Sequence, residues 1–295
     1  MAALSGFLVL DKPAGCTSHD CVSLVRRCLG LQRIGHGGTL DPGVTGVLPM
    51  AVGSATRLLP YLNGDKAYGG TITLGLRTST DDLSGAVLQR RPVPALGAVE
   101  LEQALACFRG VICQRPPAVS AVRVQGERLY HKARRGETVA APERQVTVHA
   151  LELRRWRPPH LTVQVRCSAG TYIRSIARDL GEALGCGGAL ASLRRTEALG
   201  FGLEQAVTMP QLQAHPAPAI LVQDPRQALL VLYPHHQLSP EEHSRWCCGQ
   251  ALPAPTTLIA GQAVTVLNPT GALAGMAVIR SPGQLQPKLV LDPRS

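Results

Sequence analysis

Asp41 stands at the end of a run of unusual make-up: Gly35, His36, Gly37, Gly38, Thr39, Leu40, then Asp41 and Pro42. Glycine opens backbone shapes closed to other residues, and proline fixes φ and removes an amide donor. The run continues Gly43-Val44-Thr45-Gly46, so the spacing predicts a long, irregular turn carrying one carboxylate. Taken alone, Asp41 reads first as a turn cap or Asx-turn residue. Three of the five tyrosines widen the choice. Tyr68 follows Lys66, Tyr130 sits in an arginine-rich stretch, and Tyr172 precedes Arg174 by two positions. A tyrosine can stack on an extruded base while its hydroxyl bonds a polar edge, although each alone reads equally as a core residue. No G-x-x-x-x-G-K-[ST], G-x-G-x-x-G, H-E-x-x-H or G-x-S-x-G pattern occurs. Nothing therefore points to ATP, a dinucleotide, a metal or a serine nucleophile, and any catalysis is expected to use side chains without a cofactor.

Charge narrows the partner. The 295 residues carry a formal net charge of +10, and 26 of the 30 basic residues are arginine. Arginine grips phosphate through a planar fork and stacks on bases. Residues 231–295 hold four basic and three acidic residues, so nearly all the excess lies in 1–230. A nucleic-acid partner fits this balance, with general solubility charge as the plain alternative. Nine cysteines without a C-x-x-C pair suit a reducing, cytoplasmic setting. No signal peptide or membrane span is expected, since Phe7–Leu10 is too short an apolar run.

The elements that must hold these residues follow from periodicity. Phe7–Leu10 reads as a buried strand broken by Asp11-Lys12-Pro13. A helix is expected from Ser18 to Leu29, capped by Thr17 or Ser18 and stopped by Gly30. Further expectations are a strand over Thr71–Leu76, a helix over Val99–Phe108, an alternating strand over Leu161–Cys167 and a helix over Tyr172–Leu184. Strands and helices mix without a strict βαβ rhythm, which favours an α+β fold. Residues 114–144 are basic and weakly periodic, as befits a loop that orders on a polyanion or a solvated insertion. Thr208–Pro240 reads as a proline-rich connector. Beyond it, Ala263–Leu267, Ala274–Arg280 and Pro287–Leu291 suggest a small all-β terminal domain.

One set of motifs runs in order through residues 5–210. They are GFLVLDKPAGCTS at 6–18, GHGGTLDP at 35–42, GVLP at 46–49, GSATR at 53–57, DKAY at 65–68 and LGLRTSTD at 74–81. PAVSA at 117–121, GERLY at 126–130, CSAGTYIR at 167–174 and LRRT at 193–196 follow. In these the chain resembles the TruB-type tRNA pseudouridine synthases. The resemblance implies a mixed, largely antiparallel catalytic sheet domain over 1–230 and a PUA-like domain over 231–295. It implies isomerisation of uridine-55 in the TΨC loop of tRNA by base flipping, without cofactor or metal. A carboxylate can stabilise or trap positive charge at the sugar C1′ or add to the base.

Position by position, Asp41 matches the family's catalytic aspartate and Arg174 the arginine that pairs with it. Tyr68 matches the tyrosine that stacks on the target base, and Tyr172 and Leu193 match pocket walls. His36 resembles the histidine that fills the vacated space, and Lys12 lies structurally or phosphate-facing near the pocket. The stretch 114–144, with Arg123, Arg128, Lys132, Arg134 and Arg135, corresponds to the RNA-gripping loop. The expected partner is the TΨC stem-loop, with no obligate protein partner and a monomeric, cytoplasmic protein. Two other readings remain at this point: a tRNA fold chaperone that needs no reaction, and a synthase acting on another RNA.

Overall fold

The computed structural model describes residues 4–62, 64–120, 122–137, 139, 141–255, 257–281 and 283–292. Strand β1 (Gly6–Lys12) is covered on both faces, with Phe7, Leu8, Val9 and Leu10 all buried. It does not break after Leu10, because Asp11 and Lys12 still pair with Val47 and Gly46 of the neighbouring strand. Helix α1 (Ser18–Leu29) starts at Thr17, whose side chain accepts from Asp20 N–H while the Asp20 carboxylate accepts from Thr17 N–H. This reciprocal cap satisfies two otherwise unpaired amides, and left-handed Gly30 closes the helix.

Strands β2 (Ile34–His36) and β3 (Thr45–Val52) flank the glycine-rich turn. The turn is shorter than its composition suggests, since Thr45 and Gly46 already belong to β3 and pair with Arg194 and Arg195. Next come β4 (Lys66–Leu74), the hairpin β5 (Leu76–Thr78) and β6 (Val87–Arg90), helix α2 (Ala98–Ala106) and β7 (Gly110–Gln114). The basic stretch is not a bare loop. It holds the hairpin β8 (Arg123–Val124) and β9 (Glu127–Arg128) and helix α3 (Leu129–Arg134). Strands β10 (Arg144–Arg157) and β11 (His160–Cys167), helix α4 (Ile173–Ala183) and strands β12 (Gly188–Ala198), β13 (Phe201–Gly202) and β14 (Val207–Thr208) complete the main body.

The ten-stranded main sheet runs β14-β1-β3-β12-β4-β11-β10-β7, with β2 on β3 and β13 on β12. Every pairing is antiparallel except β1 with β14 and β3 with β12. Alternation along β11 buries Leu161, Val163, Val165 and Cys167. These residues meet Ile173, Ile176, Ala177 and Leu180 of α4 in one core, so α4 lies across the sheet and delivers its first turn to the sheet's edge of the cleft.

The proline-rich connector is also structured. Helices α5 (Met209–Ala214) and α6 (Pro225–Leu232) each carry a proline in the first turn after a capping Thr208 or Asp224, a position where the missing N–H costs nothing. A second, five-stranded sheet follows. Its strands are β15 (His235–Gln237), β16 (Leu252–Pro253), β17 (Ala263–Leu267), β18 (Leu273–Ser281) and β19 (Gln284–Val290), in the order β15-β17-β18-β19-β16. Helix α7 (Pro240–Cys247) buries Trp246 completely against it. Met276 and Leu289 of this sheet share a core with Phe7, Val9 and Phe201 of the main body. Among the described residues no helix is long and apolar enough to cross a membrane.

The contact that seats α4 is a glycine pair. A Cβ on Gly181 would collide with the backbone of Gly187 and Gly188 at the start of β12, and neither neighbour is a movable side chain. Gly181→Ala is therefore expected to lower unfolding free energy by about 2–3 kcal/mol. Chemical denaturation checks this through a lower midpoint at unchanged slope, and a loss below about 0.5 kcal/mol would show that the close approach does not limit the packing.

Candidate active site

Asp41 is placed by its neighbours, each tied to a different part of the fold. Gly37 N–H bonds Pro49 O at 2.8 Å, and Arg195 Nη2 bonds Gly38 O at 3.0 Å. Ser18 Oγ accepts from Leu40 N–H at 2.9 Å and donates to Leu40 O at 3.2 Å. Pro42 O accepts from Gly15 N–H at 2.9 Å and from Lys12 Nζ at 3.2 Å. The residues before and after Asp41 are thus held by the β1–α1 corner. The composition of the turn concealed this, because these holding groups lie 22 to 30 positions upstream. The Asp41 side chain itself is 46% exposed, so it faces open space on a fixed backbone.

Its partner is the reverse. The Arg174 side chain is 7% exposed, in the first turn of α4, and its Nη2 lies 2.8 Å from Asp41 Oδ2. The same guanidinium donates to Thr80 O at 2.9 Å and Val119 O at 3.0 Å, and its Nε stands 3.8 Å from Asp82 Oδ2. A buried cation is tolerated only when paired and hydrogen-bonded, and here two carbonyls and the Asp41 carboxylate hold its terminal nitrogens while Asp82 stands near Nε. Beside it, Arg178 bonds Asp81 and Asp179, each at 2.8 Å. Burial nonetheless pushes the Asp81 carboxyl above its usual range, with Arg178 opposing.

Asp41, Tyr68, Tyr172, Arg174 and Leu193 line one cleft of about 250 Å³. Tyr68 projects from β4 and is 6% exposed. Burial raises its phenol above the usual value, and the nearby Arg195 guanidinium works against that rise. Lys66 lines the same cleft, its ammonium pushed below the usual range by burial and then by Arg195. Tyr172 is fixed through its backbone: Gln114, buried, accepts from its N–H at 2.8 Å and donates to its O at 3.0 Å. The Arg144 guanidinium lies over the Tyr172 ring, 4.8 Å from its centroid. A more apolar recess of about 360 Å³ shares the Asp41–Arg174 pair and is walled by Val44, Leu83, Leu190 and Leu193.

Two expected site residues lie off the cleft wall. Lys12 is wholly buried, and its Nζ is spent on the carbonyls of Pro13, Cys16 and Pro42. It fastens the Asp41 turn and has no face for substrate, because three carbonyls already occupy its donors. His36 sits at the end of β2, and its Nδ1 accepts from Gly38 N–H at 3.3 Å. Of the arm residues, Arg123 and Arg128 are exposed and Lys132 is half-buried. Arg135 is not a free cation, since it pairs with Glu127 at 2.6 Å and Glu137 at 2.8 Å. Such exposed pairs are worth little and yield to a stronger anion. The side chain of Arg134 lies outside the described residues.

Sequence reasoning missed Ser18, Gln114, Asp82, Arg144, Lys66 and Arg195 as parts of this arrangement. The adjacent acids Asp81 and Asp82 after a strand were a usable signal, as were the motifs that contain Ser18, Lys66 and Arg195; Gln114 and Arg144 gave none of their own. What the geometry offers chemically is an open carboxylate on a rigid backbone, a buried cation that fixes its orientation, and aromatic walls suited to a planar ring.

Comparison with known proteins bears on this geometry. Residues 26–173 match the TruB family pseudouridylate synthase N-terminal domain, 174–229 the tRNA pseudouridylate synthase B C-terminal domain, and 234–291 the C-terminal domain of pseudouridine synthase II TruB. Among curated relatives, tRNA pseudouridine synthase B of Synechococcus sp. (strain WH7803) is 55% identical over 301 residues, covering 100% of both chains. The protein of that name from Parasynechococcus marenigrum is 56% identical, covering 97% of each. Among solved structures, an H/ACA RNP bound to a substrate RNA containing 2′-deoxyuridine aligns at a TM-score of 0.75 and 24% identity, over 98% of this chain and 86% of that one. A Cbf5-Nop10-Gar1 complex aligns at 0.74 and 25%, over 98% and 85%.

Two measurements check the scaffold around Asp41. Ser18→Ala leaves the buried Leu40 N–H without its acceptor, at a cost of about 1–3 kcal/mol, so Leu40 amide exchange should quicken while mid-helix amides of α1 keep their protection. Unchanged exchange at Leu40 would show that Ser18 does not hold the turn. His36 gives a pH dependence. Burial, with help from Arg195, lowers its folded pKa below the ordinary 6.5. Its contribution to stability is therefore complete above pH 6.5 and is lost as pH falls below it, where only the unfolded chain takes up the proton. The drop in Tm between about pH 7.5 and about pH 5.5 should shrink in His36→Gln, and an equal drop would remove His36 from the acid response.

Proposed function

We propose that this chain, which belongs to the TruB family of pseudouridylate synthases, isomerises uridine-55 to pseudouridine in the TΨC loop of tRNA, with Asp41 as its catalytic carboxylate. The observation that carries the assignment is the pairing of an open carboxylate with a buried, fully engaged arginine at the mouth of an aromatic-walled cleft. The reaction breaks the N1–C1′ bond, turns the uracil and joins C5 to C1′. The proton on C5 is lost and N1 gains one, so nothing is oxidised and no group is donated from outside. Asp41 meets the positive charge that develops at C1′, or traps it, as a glycosidase carboxylate does. Arg174 fixes the carboxylate's direction, and preorganised orientation of this kind is the main lever available to side chains alone.

Tyr68 stacks on the extruded uracil. Its phenol, raised by burial, is held in the hydroxyl form at neutral pH, and it assists a later proton transfer. Tyr172 and Leu193 form the facing walls. His36, neutral and beside the turn, fills the space vacated when the nucleotide flips. Arg123, Arg128 and Lys132 on the arm over 114–144 contact RNA phosphates. Residues 1–230 form the catalytic domain and 231–295 a PUA-like domain that reaches along the tRNA. The protein works as a monomer on the TΨC stem-loop in the cytoplasm.

Asp41→Asn separates this reading from a pure tRNA-binding fold chaperone. The variant should bind an unmodified tRNA transcript within about threefold of the parent, yet form pseudouridine at least about a thousandfold more slowly, as befits a group that acts on the transition state. Mapping of pseudouridine on the transcript reads this directly. Turnover by Asp41→Asn near the parent rate would sink the mechanism, and product at a site outside the TΨC loop would overturn the substrate. Replacing Arg123, Arg128 and Lys132 together should flatten the dependence of log affinity on log salt by about 3, roughly one unit for each phosphate no longer neutralised. An unchanged slope would make the arm a solvated insertion.

A further inference from the structure

Arg144 differs from every other guanidinium around the cleft. Arg174 is held by Thr80 O, Val119 O and the Asp41 carboxylate, and Arg195 bonds Val47 O at 2.7 Å and Gly38 O at 3.0 Å, leaving its Nη1 as its one buried nitrogen without a partner among the described residues. Arg144 lines the cleft, stacks on Tyr172, and has Nε and Nη2 buried with no hydrogen-bond partner among the described residues. These two nitrogens lie on the same edge of the planar group, the edge that presents two parallel N–H bonds. No carboxylate pairs with it among the described residues.

The residue is held in place by the fold. Its backbone opens β10 and pairs with Gln114 of β7, and Gln114 clamps the Tyr172 backbone from both sides. Strand, glutamine and the Tyr172 backbone thus form one rigid corner, and the guanidinium rests on it through the ring contact. A buried donor without an acceptor is unfavourable, and two on one edge are more so. Stacking on the aromatic face returns part of that loss. The arrangement makes sense when a ligand supplies the acceptors.

We propose that Arg144 is a substrate-binding residue whose Nε–Nη2 edge takes the two non-bridging oxygens of a phosphodiester beside the flipped uridine. This rests on the function proposed above. The chemistry of the edge favours phosphate over base: uracil presents carbonyl, N–H and carbonyl in sequence, so two adjacent donors would set one N–H against another. A phosphodiester offers two acceptors with the matching spread and a negative charge. Both nitrogens are shielded in the free chain, so the guanidinium tilts on its flexible stem toward the cleft when the phosphate arrives, and the Tyr172 face is freed as it does so.

The test is a double-mutant cycle on RNA binding. T-arm stem-loop RNAs carry a neutral methylphosphonate at one position at a time around the target uridine, and are titrated against Asp41→Asn protein with Arg144 intact or changed to Ala, Met or Lys. Arg144→Ala should weaken the unmodified stem-loop about tenfold to a hundredfold, the range of a charge-assisted contact. One methylphosphonate should weaken the Arg144 protein by a similar factor and leave Arg144→Ala nearly unaffected. Arg144→Met, which still covers Tyr172, should behave as Ala, and Arg144→Lys should recover part of the affinity without the bidentate fit. Losses that add at every position, or unchanged binding by Arg144→Ala, would overturn the proposal. Recovery of full affinity by Arg144→Met would assign Arg144 to packing of Tyr172 alone and equally overturn it. The outcome is independent of catalysis: absence of pseudouridine from the parent protein refutes the activity, whereas the cycle still reports whether this edge meets a phosphate.

Discussion

Burial of the Arg174 guanidinium is the constraint on which the site depends. A cation removed from water must find its compensation within the protein. Its acceptors come from three separate segments: the turn carrying Asp41, the Thr80–Asp82 corner and Val119 at the foot of the basic arm. The arginine therefore joins pieces that sequence holds far apart, and the Asp41 carboxylate, 46% exposed against 23% for Asp82, is the more open of its two acidic partners. Taking the guanidinium away would leave the carboxylate undirected and would also release the corner and the arm from a common post.

A second set of restraints fixes the same carboxylate from behind. Ser18 holds both polar groups of Leu40, and Lys12 with Gly15 holds Pro42. Each anchor grips backbone and leaves the Asp41 side chain alone. This division suits a group that must be oriented yet accessible, since backbone fixed on both sides leaves little rotamer freedom to be lost when a substrate arrives. Burial of Lys12 lowers its ammonium below the ordinary range, and three carbonyls keep it in place. The motif that contains Lys12 and Ser18 is thus a mould for the Asp41 turn.

Local features were legible in the sequence and distant ones were not. Helix α1 matched its expected bounds because the cap, stripe and terminating glycine all lie within the element. Strand β11 was legible from its alternation. The connector over 208–240 and the basic stretch over 114–144 read as unstructured because prolines and arginines there obscure short helices whose apolar contacts are few and distant. Asp41, Tyr68, Tyr172 and Arg174 were singled out from motif order, and the cleft brings them together. Lys12 shared their motifs but not their cleft, because residue type says nothing about which way a buried chain turns. Arg195 lay in the LRRT motif without a role to mark it, and nothing marked Gln114 or Arg144 individually. Their positions arise from sheet register, which pairs Arg144 with Gln114 and Arg195 with Gly46, and register is a property of the assembled sheet.

The cleft arginines also give the net charge of +10 a finer meaning. Charges on the arm are exposed and partly neutralised by neighbouring glutamates, so salt screens them within about 10 Å and they suit long-range attraction. Arg174 and Arg195 at the cleft are buried and directional, and Arg144 is half-buried. Arg174 has a complete set of acceptors and serves geometry; Arg195 braces the glycine turn beneath Tyr68; Arg144 alone has a pair of donors left over. Asp41 balances Arg174 within the cleft, whereas Arg144 has no carboxylate partner among the described residues. On the function proposed above, a polyanion entering the cleft would supply that countercharge at the Nε–Nη2 edge, and gathering the RNA and seating one nucleotide would then draw on different arginines of the same basic chain.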